Sequence, residues 1–197
     1  MLDLVFAIVG LVVTFPLTVA ISIVIRLSSR GPALHKARRC GRNGEPFVLY
    51  KFRSMRLDAA SSGPGITAAG DRRVTGVGRF LRSTKLDELP QLWNVLRGDM
   101  SIVGPRPEDP RYVDWYTAEQ REILRWRPGV TSPASVTYRN EETILAAAEN
   151  LDIAYRSVMA EKIRIDLGYF RSASLLGDLR WMYRTAIAVI ASNRTAT

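Results

Sequence analysis

The chain has 197 residues, a formal net charge of +9, one cysteine (Cys40) and one histidine (His35). Such scarcity excludes an internal disulfide and a cysteine metal cluster, and argues against a Ser-His-Asp triad or a histidine-based zinc site. The length suits one domain with a real core, and the charge selects phosphorylated substrates, anionic lipid or nucleic acid as partners. Any catalysis must come from carboxylates, lysines and arginines.

Leu4 to Ile25 contains no charged residue. As a straight helix it would be about 33 Å long, enough to cross a bilayer core. The start, Met1-Leu2-Asp3, lacks the basic region of a secretory signal. Pro16 falls mid-run, where it removes a donor and crowds the carbonyl of Val12. Thr14, Thr18 and Ser22 recur on one face, placed to satisfy carbonyls freed at such a kink. Two geometries follow: a kinked span, or a hairpin whose arms each reach about 15 Å deep. From Arg26 to Arg56 there are nine Lys/Arg and a single acid, Glu45, which places this stretch on the cytoplasmic side against anionic lipid.

Phe47 to Met55 reads as a strand, with Val48, Tyr50 and Phe52 on one face and Lys51 and Arg53 on the other as a phosphate-binding surface. Ala59 to Gly70, nearly all Ala, Ser, Gly and Pro, reads as a mobile loop. Gly76 to Arg82 is helical and leads to Asp87 and Glu88. Leu86, Leu89, Leu92, Trp93 and Leu96 have helical spacing, with Pro90 near the start and Gly98 as the stop; Trp93 is expected in the core. Asp87 and Glu88 then sit about 100° apart around the helix, able to line two sides of one ion. Asp99 is read as a cap of the next turn. Thr117 to Trp126 and Thr143 to Tyr169 are helix-prone. Leu175, Leu179, Met182, Ala186 and Ile190 form a stripe flanked by Arg180, Trp181 and Arg184, suited either to the headgroup layer or to packing on the domain.

The run Leu86-Asp87-Glu88-Leu89-Pro90-Gln91-Leu92-Trp93-Asn94-Val95-Leu96-Arg97-Gly98-Asp99-Met100-Ser101 with Gly104-Pro105-Arg106-Pro107 resembles the bacterial sugar transferase family, specifically its small monotopic phosphoglycosyl transferases (PglC-like). Tyr50 to Met55 and Arg127-Pro128-Gly129-Val130-Thr131 also look like family motifs. The resemblance covers nearly the whole chain and implies the minimal catalytic form. It implies an α+β, mostly helical fold: a re-entrant membrane helix (residues 1–27) with its break at Pro16, and a cytoplasmic catalytic domain (residues 28–197) with short strands and interfacial amphipathic helices. Many relatives have Ser-Pro at the break, where this chain has Phe15-Pro16, with Thr14 as a substitute hydroxyl.

The implied activity is transfer of a phosphosugar from a UDP-sugar to polyprenyl phosphate, with release of UMP and a need for Mg²⁺, at the cytoplasmic face of a bacterial inner membrane. By resemblance Asp87 is the nucleophile and Glu88 the Mg²⁺ ligand. Arg82 matches a phosphate-binding arginine, Lys51 and Arg106 are further phosphate-binding candidates, and Arg139 aligns with a nucleotide-binding arginine. The segment Ser132 to Arg139 departs from the Gly-Trp-Ala-Gln-Val that many relatives carry there. Expected partners are UDP-sugar, polyprenyl phosphate and an anionic bilayer, without nucleic acid; a homodimer stays open. Two rival readings remain. A phosphohydrolase would release phosphate without polyprenyl phosphate. A basic nucleic-acid or lipid-binding module gives no reason for two adjacent carboxylates among cations, and its nucleic-acid binding would collapse with salt.

Overall fold

The computed structural model describes residues 2–60 and 65–192, with the side chains of residues 60 and 190–192 left out. Helix α1 (Leu2–Ser28) is helical through Pro16, where the sequence predicts a break. Proline's fixed φ is compatible with a helix, so only one backbone bond is forfeited. The Thr14, Thr18 and Ser22 hydroxyls donate to the carbonyls of Gly10, Thr14 and Thr18, and not to that of Val12. Composition and length make α1 the one described helix able to cross a membrane, and most of it faces outward.

Both ends of α1 nevertheless touch the rest of the chain. Near its start, Asp3 accepts hydrogen bonds from the Ser101 hydroxyl (2.7 Å) and the Ile102 amide (3.0 Å). Ala7 is buried with Leu49, Val95 and Met100, and Gly10 sits where a Cβ would lie 3.0 Å from Leu92. Near its end, Ile21 and Ile25 are buried with Ala33, Phe52 and Leu81.

Strands β1 (Leu34–Cys40) and β2 (Pro46–Phe52) form an antiparallel ribbon in which His35 is opposite Lys51. The predicted strand is present but ends three residues early, and its burial does not alternate as predicted. Leu49 and Phe52, on opposite faces of a regular strand, are both buried in different clusters, whereas Val48 is exposed. Helix α2 (Gly76–Ser83) begins at Thr75, whose hydroxyl accepts from the Gly78 amide. A 3₁₀ turn (Leu86–Glu88) carries the carboxylates, and α3 (Gln91–Arg97) starts after Pro90 and ends at Gly98 in the left-handed region. The helix therefore begins one turn later than its apolar spacing suggests. Trp93 is 49% exposed on α3, not in the core.

Strand β3 (Ser101–Val103) runs parallel to β4 (Gly129–Thr131). At their ends Gly104 and Gly129 touch so closely that a Cβ on Gly129 would fall 2.1 Å from the Gly104 nitrogen. The Gly104 amide donates to Thr131 and the Gly129 amide to Pro105. This explains two of the glycines in the Gly-Pro-Arg-Pro and Arg-Pro-Gly motifs: backbone meets backbone, and no side chain fits. Between them lies the short helix α4 (Pro110–Val113) and a 3₁₀ turn (Gln120–Arg125) within the predicted Thr117–Trp126 helix.

Helix α5 (Pro133–Thr137) precedes α6 (Glu141–Ala146) and α7 (Leu151–Phe170), which divide the single helix-prone stretch. Asn150 makes the division by capping the Ile153 amide. The largest cluster gathers Tyr112, Tyr116, Ile123, Val158, Ile163, Leu167 and Phe170. Helix α8 (Leu175–Ser192) packs on the domain through part of its length. Trp181 and Met182 pack against the core and Thr185 meets Thr131, while Leu175, Leu176, Leu179, Tyr183 and Ile187 stay exposed. The side chain of Ile190 lies outside the described residues, as do residues 61–64 of the predicted mobile loop. The described flanks of that loop are tied down: Leu57–Ala60 forms a 3₁₀ turn, Ile66 is buried, and Arg73 donates to the carbonyls of Ala59 and Ile66.

Candidate active site

Lys85 precedes the carboxylate turn in the left-handed conformation, φ 59°, which is uncommon for a residue with a side chain. This reverses the chain after α2 and turns Asp87 inward. Asp87 is 5% exposed, and its Oδ1 is buried without a hydrogen-bond partner. Burial raises its pKa, with Glu88 adding to the rise and Lys51, Arg82 and Lys85 opposing it. Glu88 points to the cations: its Oε1 accepts from Lys51 Nζ (3.2 Å) and Arg106 NH2 (2.9 Å). Burial works against its charge, yet Arg106, Lys51 and Lys85 hold its pKa well below the ordinary value. The adjacent acids therefore differ in state: one firmly ionised and paired, the other burdened by burial with an uncommitted oxygen.

Each cation arrives on a different element. Lys51 comes from β2, which Asn94 of α3 fixes: its Oδ1 accepts from the Tyr50 amide (3.0 Å) and its Nδ2 donates to the Val48 carbonyl (2.7 Å). Burial lowers the Lys51 pKa, with Glu88 countering. Arg106 rides on the turn after β3, held by the Gly104–Gly129 contact, and the Glu88 charge raises its pKa. Arg82, near the end of α2, donates through Nε (3.1 Å) and NH2 (2.5 Å) to Glu142 of α6. Arg139 lies between α5 and α6, with NH2 buried and unpartnered and its pKa lowered by burial. Thus Lys51 and Arg106 meet Glu88 directly, Arg82 bears electrostatically on Asp87, and Arg139 contacts neither acid.

Arg53 does something else than predicted. It is buried and donates to the carbonyls of Ser29 (2.8 Å) and Arg30 (2.6 Å) and to the Ser29 hydroxyl. It therefore caps the C-terminal end of α1, where orphan carbonyls favour a cation. Gly31, at φ 113°, leaves the room it needs, since a Cβ there would lie 2.3 Å from Arg53 NH1. Asn94 and Glu142 are the functional-site neighbours that sequence reasoning missed. Asn94 had a signal, a polar residue amid a helix's apolar positions; Glu142 had none. Among the described residues Asp99 caps no following turn; its carboxylate accepts from Asn94 Nδ2 and Arg97 Nε.

A sequence profile described as bacterial sugar transferase matches residues 1–192. The chain belongs to the bacterial sugar transferase family. Within the family, a UDP-glucose:undecaprenyl-phosphate glucose-1-phosphate transferase of Caulobacter vibrioides is 38% identical over 197 residues, covering 98% of this chain and 69% of that protein. A UDP-N-acetylgalactosamine-undecaprenyl-phosphate N-acetylgalactosaminephosphotransferase of Aeromonas hydrophila is 34% identical, covering 96% of this chain and 43% of that protein. The Escherichia coli UDP-glucose:undecaprenyl-phosphate glucose-1-phosphate transferase is 34% identical, covering 93% and 38%. The chain thus spans less than half of the longer family members.

Whether the family's implied Mg²⁺ suits this site can be tested on its donors. Among the described residues no group of three or more His, Cys, Asp and Glu is arranged for a metal. Mg²⁺, however, ordinarily takes only one or two protein carboxylates and completes its shell with water and substrate phosphate. Asp87 Oδ1, buried and unpartnered, is such a donor, and Glu88 adjoins it. The residues fit the ion.

Proposed function

We propose that this chain transfers a phosphosugar from a UDP-sugar to polyprenyl phosphate and releases UMP. Family membership supports the reaction class, and the observation that carries the assignment to residues is Asp87: a buried carboxylate with a free oxygen beside a carboxylate already neutralised by Lys51 and Arg106. Asp87 attacks the β-phosphorus of the UDP-sugar. An Asp–O–P bond forms, the bridging P–O bond breaks, and its electron pair leaves with UMP. A phosphate oxygen of polyprenyl phosphate then attacks the same phosphorus, and the Asp87 carboxylate is returned. Two steps let a soluble donor and a lipid acceptor use one site in turn.

Lys51 and Arg106 hold Glu88 in place and offset the negative charge that gathers as a diphosphate approaches. Arg82 presents a planar fork suited to phosphate, and Arg139 offers an unpartnered NH2 to the nucleotide. Glu88 would hold Mg²⁺ beside Asp87, and the ion would supply charge stabilisation to the phosphoryl oxygens. The domain lies on the cytoplasmic face of the inner membrane, with both ends of α1 held on that face. The support for this placement is that Asp3 and Ile25, near opposite ends of α1, both pack on the same domain.

Purified protein given a UDP-sugar labelled in the β-phosphate, without lipid, should retain label on Asp87 and release UMP. Asp87→Asn should retain none and lose turnover by at least a thousandfold, as when a nucleophile is removed. Full turnover of this variant would refute the assignment.

A further inference from the structure

An open groove of about 830 Å³ separates the C-terminal half of α1 from β1. Its walls are apolar: Val19 and Ile23 on α1, Leu34 on β1, and Leu57 across the mouth. All four are exposed to solvent in the protein alone. Thr18 and Ser22 also line it, but their hydroxyls are spent on their own helix, and Arg53 is spent on the end of α1. The remaining polar lining is basic. Arg26 and Lys36 border the groove, neither engages a carboxylate among the described residues, and no acid lines it. Its volume is that of a ligand pocket.

The groove needs an occupant that is both apolar and anionic. A soluble nucleotide sugar does not use apolar walls, and a free phosphate leaves them wet. The α1 wall belongs to a helix apolar enough to lie in a bilayer, so a lipid reaches the groove sideways without leaving the membrane. The groove is linked to the catalytic carboxylates through one strand pair. His35 lines the groove, its register partner on β2 is Lys51, and Lys51 donates to Glu88. A bilayer lipid that merely anchors the protein has no use for that connection.

We infer that this groove is the acceptor subsite: it seats the first isoprene units of polyprenyl phosphate between α1 and β1, with Arg26 and Lys36 gathering the phosphate and the His35–Lys51 pair leading it to Asp87. The inference rests on the transferase reading above and adds to it where the lipid enters. His35 contributes hydrogen bonding rather than charge, because burial and the neighbouring Arg39 and Lys51 keep it neutral at pH 7.

The test uses the full chain in nanodiscs. A diazirine-bearing polyprenyl phosphate should crosslink to residues of β1 or the C-terminal half of α1. Unlabelled polyprenyl phosphate should compete, and the same mole fraction of phosphatidylglycerol should not. The Arg26→Gln/Lys36→Gln double variant should raise KM for polyprenyl phosphate roughly tenfold or more, the loss expected for charge-assisted bonds to phosphate. Ile23→Trp, which fills the groove, should do likewise. Both variants should still take label from the UDP-sugar at the wild-type rate, which also shows that they fold. Crosslinks elsewhere, equal competition by phosphatidylglycerol, or an unchanged acceptor KM would each overturn the inference. A wild-type protein that takes no label from UDP-sugar would instead sink the transferase reading, while the crosslink map still reports the groove.

Discussion

At Asp87 burial opposes the charge that a nucleophile requires, and Lys51 restores part of it. The sign of the pH dependence follows. With its pKa raised from 3.8, Asp87 begins to protonate at a higher pH than an ordinary aspartate, so UMP release should fall on acidification earlier than 3.8 would imply. Lys51→Met removes an opposing charge and should move this acid limb further up; a limb that stays in place would show that Lys51 does not tune Asp87. The limb belongs to the Asp87–Glu88 pair rather than to either acid alone. Glu142 holds the Arg82 fork that a diphosphate would claim. Glu142→Gln should therefore lower KM for the UDP-sugar by roughly two- to fivefold, in keeping with the modest worth of a partly exposed ion pair. An increase in KM would instead make Glu142 the residue that aims Arg82. At this scale the sequence was readable where residues act with near neighbours: Arg82, Asp87 and Glu88 lie within one short stretch. It was silent on Glu142, sixty residues from Arg82, and misleading on Arg53, because charge and strand parity do not reveal which partner a guanidinium finds.

Between elements, the joint of α3 and β2 depends on one amide. Asn94 is fully buried and bonds both the Tyr50 amide and the Val48 carbonyl. Asn94→Ala would leave both unpaired, costing about 3 kcal/mol of stability and loosening Lys51 against Glu88; a melting temperature equal to wild type would contradict this. A second joint is titratable. Asp166 of α7 accepts from the Ala134 amide of α5, and burial raises its pKa from 3.8 to about 6. Between those values the folded state holds more protons than the unfolded state, so this group's contribution falls as pH rises through the window, by about 3 kcal/mol in all. Asp166→Asn keeps the acceptor and drops the charge. The variant should gain stability over wild type at pH 7.5 but not at pH 3.5, read by thermal melting in detergent; an equal difference at both would refute the linkage. Helix existence was legible from apolar spacing, as in α3 and α8, because one stripe buries against one neighbour. The β2 pattern was not, since α1, α3 and α2 bury residues from both of its faces. The division of α6 from α7 turns on a single cap at Asn150, which composition does not weigh.

Across the whole molecule, α1 belongs to the domain as much as to the bilayer. Cysteines placed at Leu2 and Ser28 should both react with an impermeant maleimide only from the cytoplasmic side, while buried Cys40 stays largely silent. Labelling of the Leu2 position from outside would mean a span. The apolar run was plain in the sequence; its attachment was not, because the Asp3 bond closes 98 residues of chain onto Ser101. That clasp has a consequence for biogenesis. Asp3 is made well before Ser101, which holds it, so α1 must wait, apolar and undocked, until β3 appears. A bilayer is the one place where such a helix waits without aggregating. On the membrane placement proposed above, insertion would come before closure of the catalytic core, and the enzyme would mature where the proposed lipid acceptor resides.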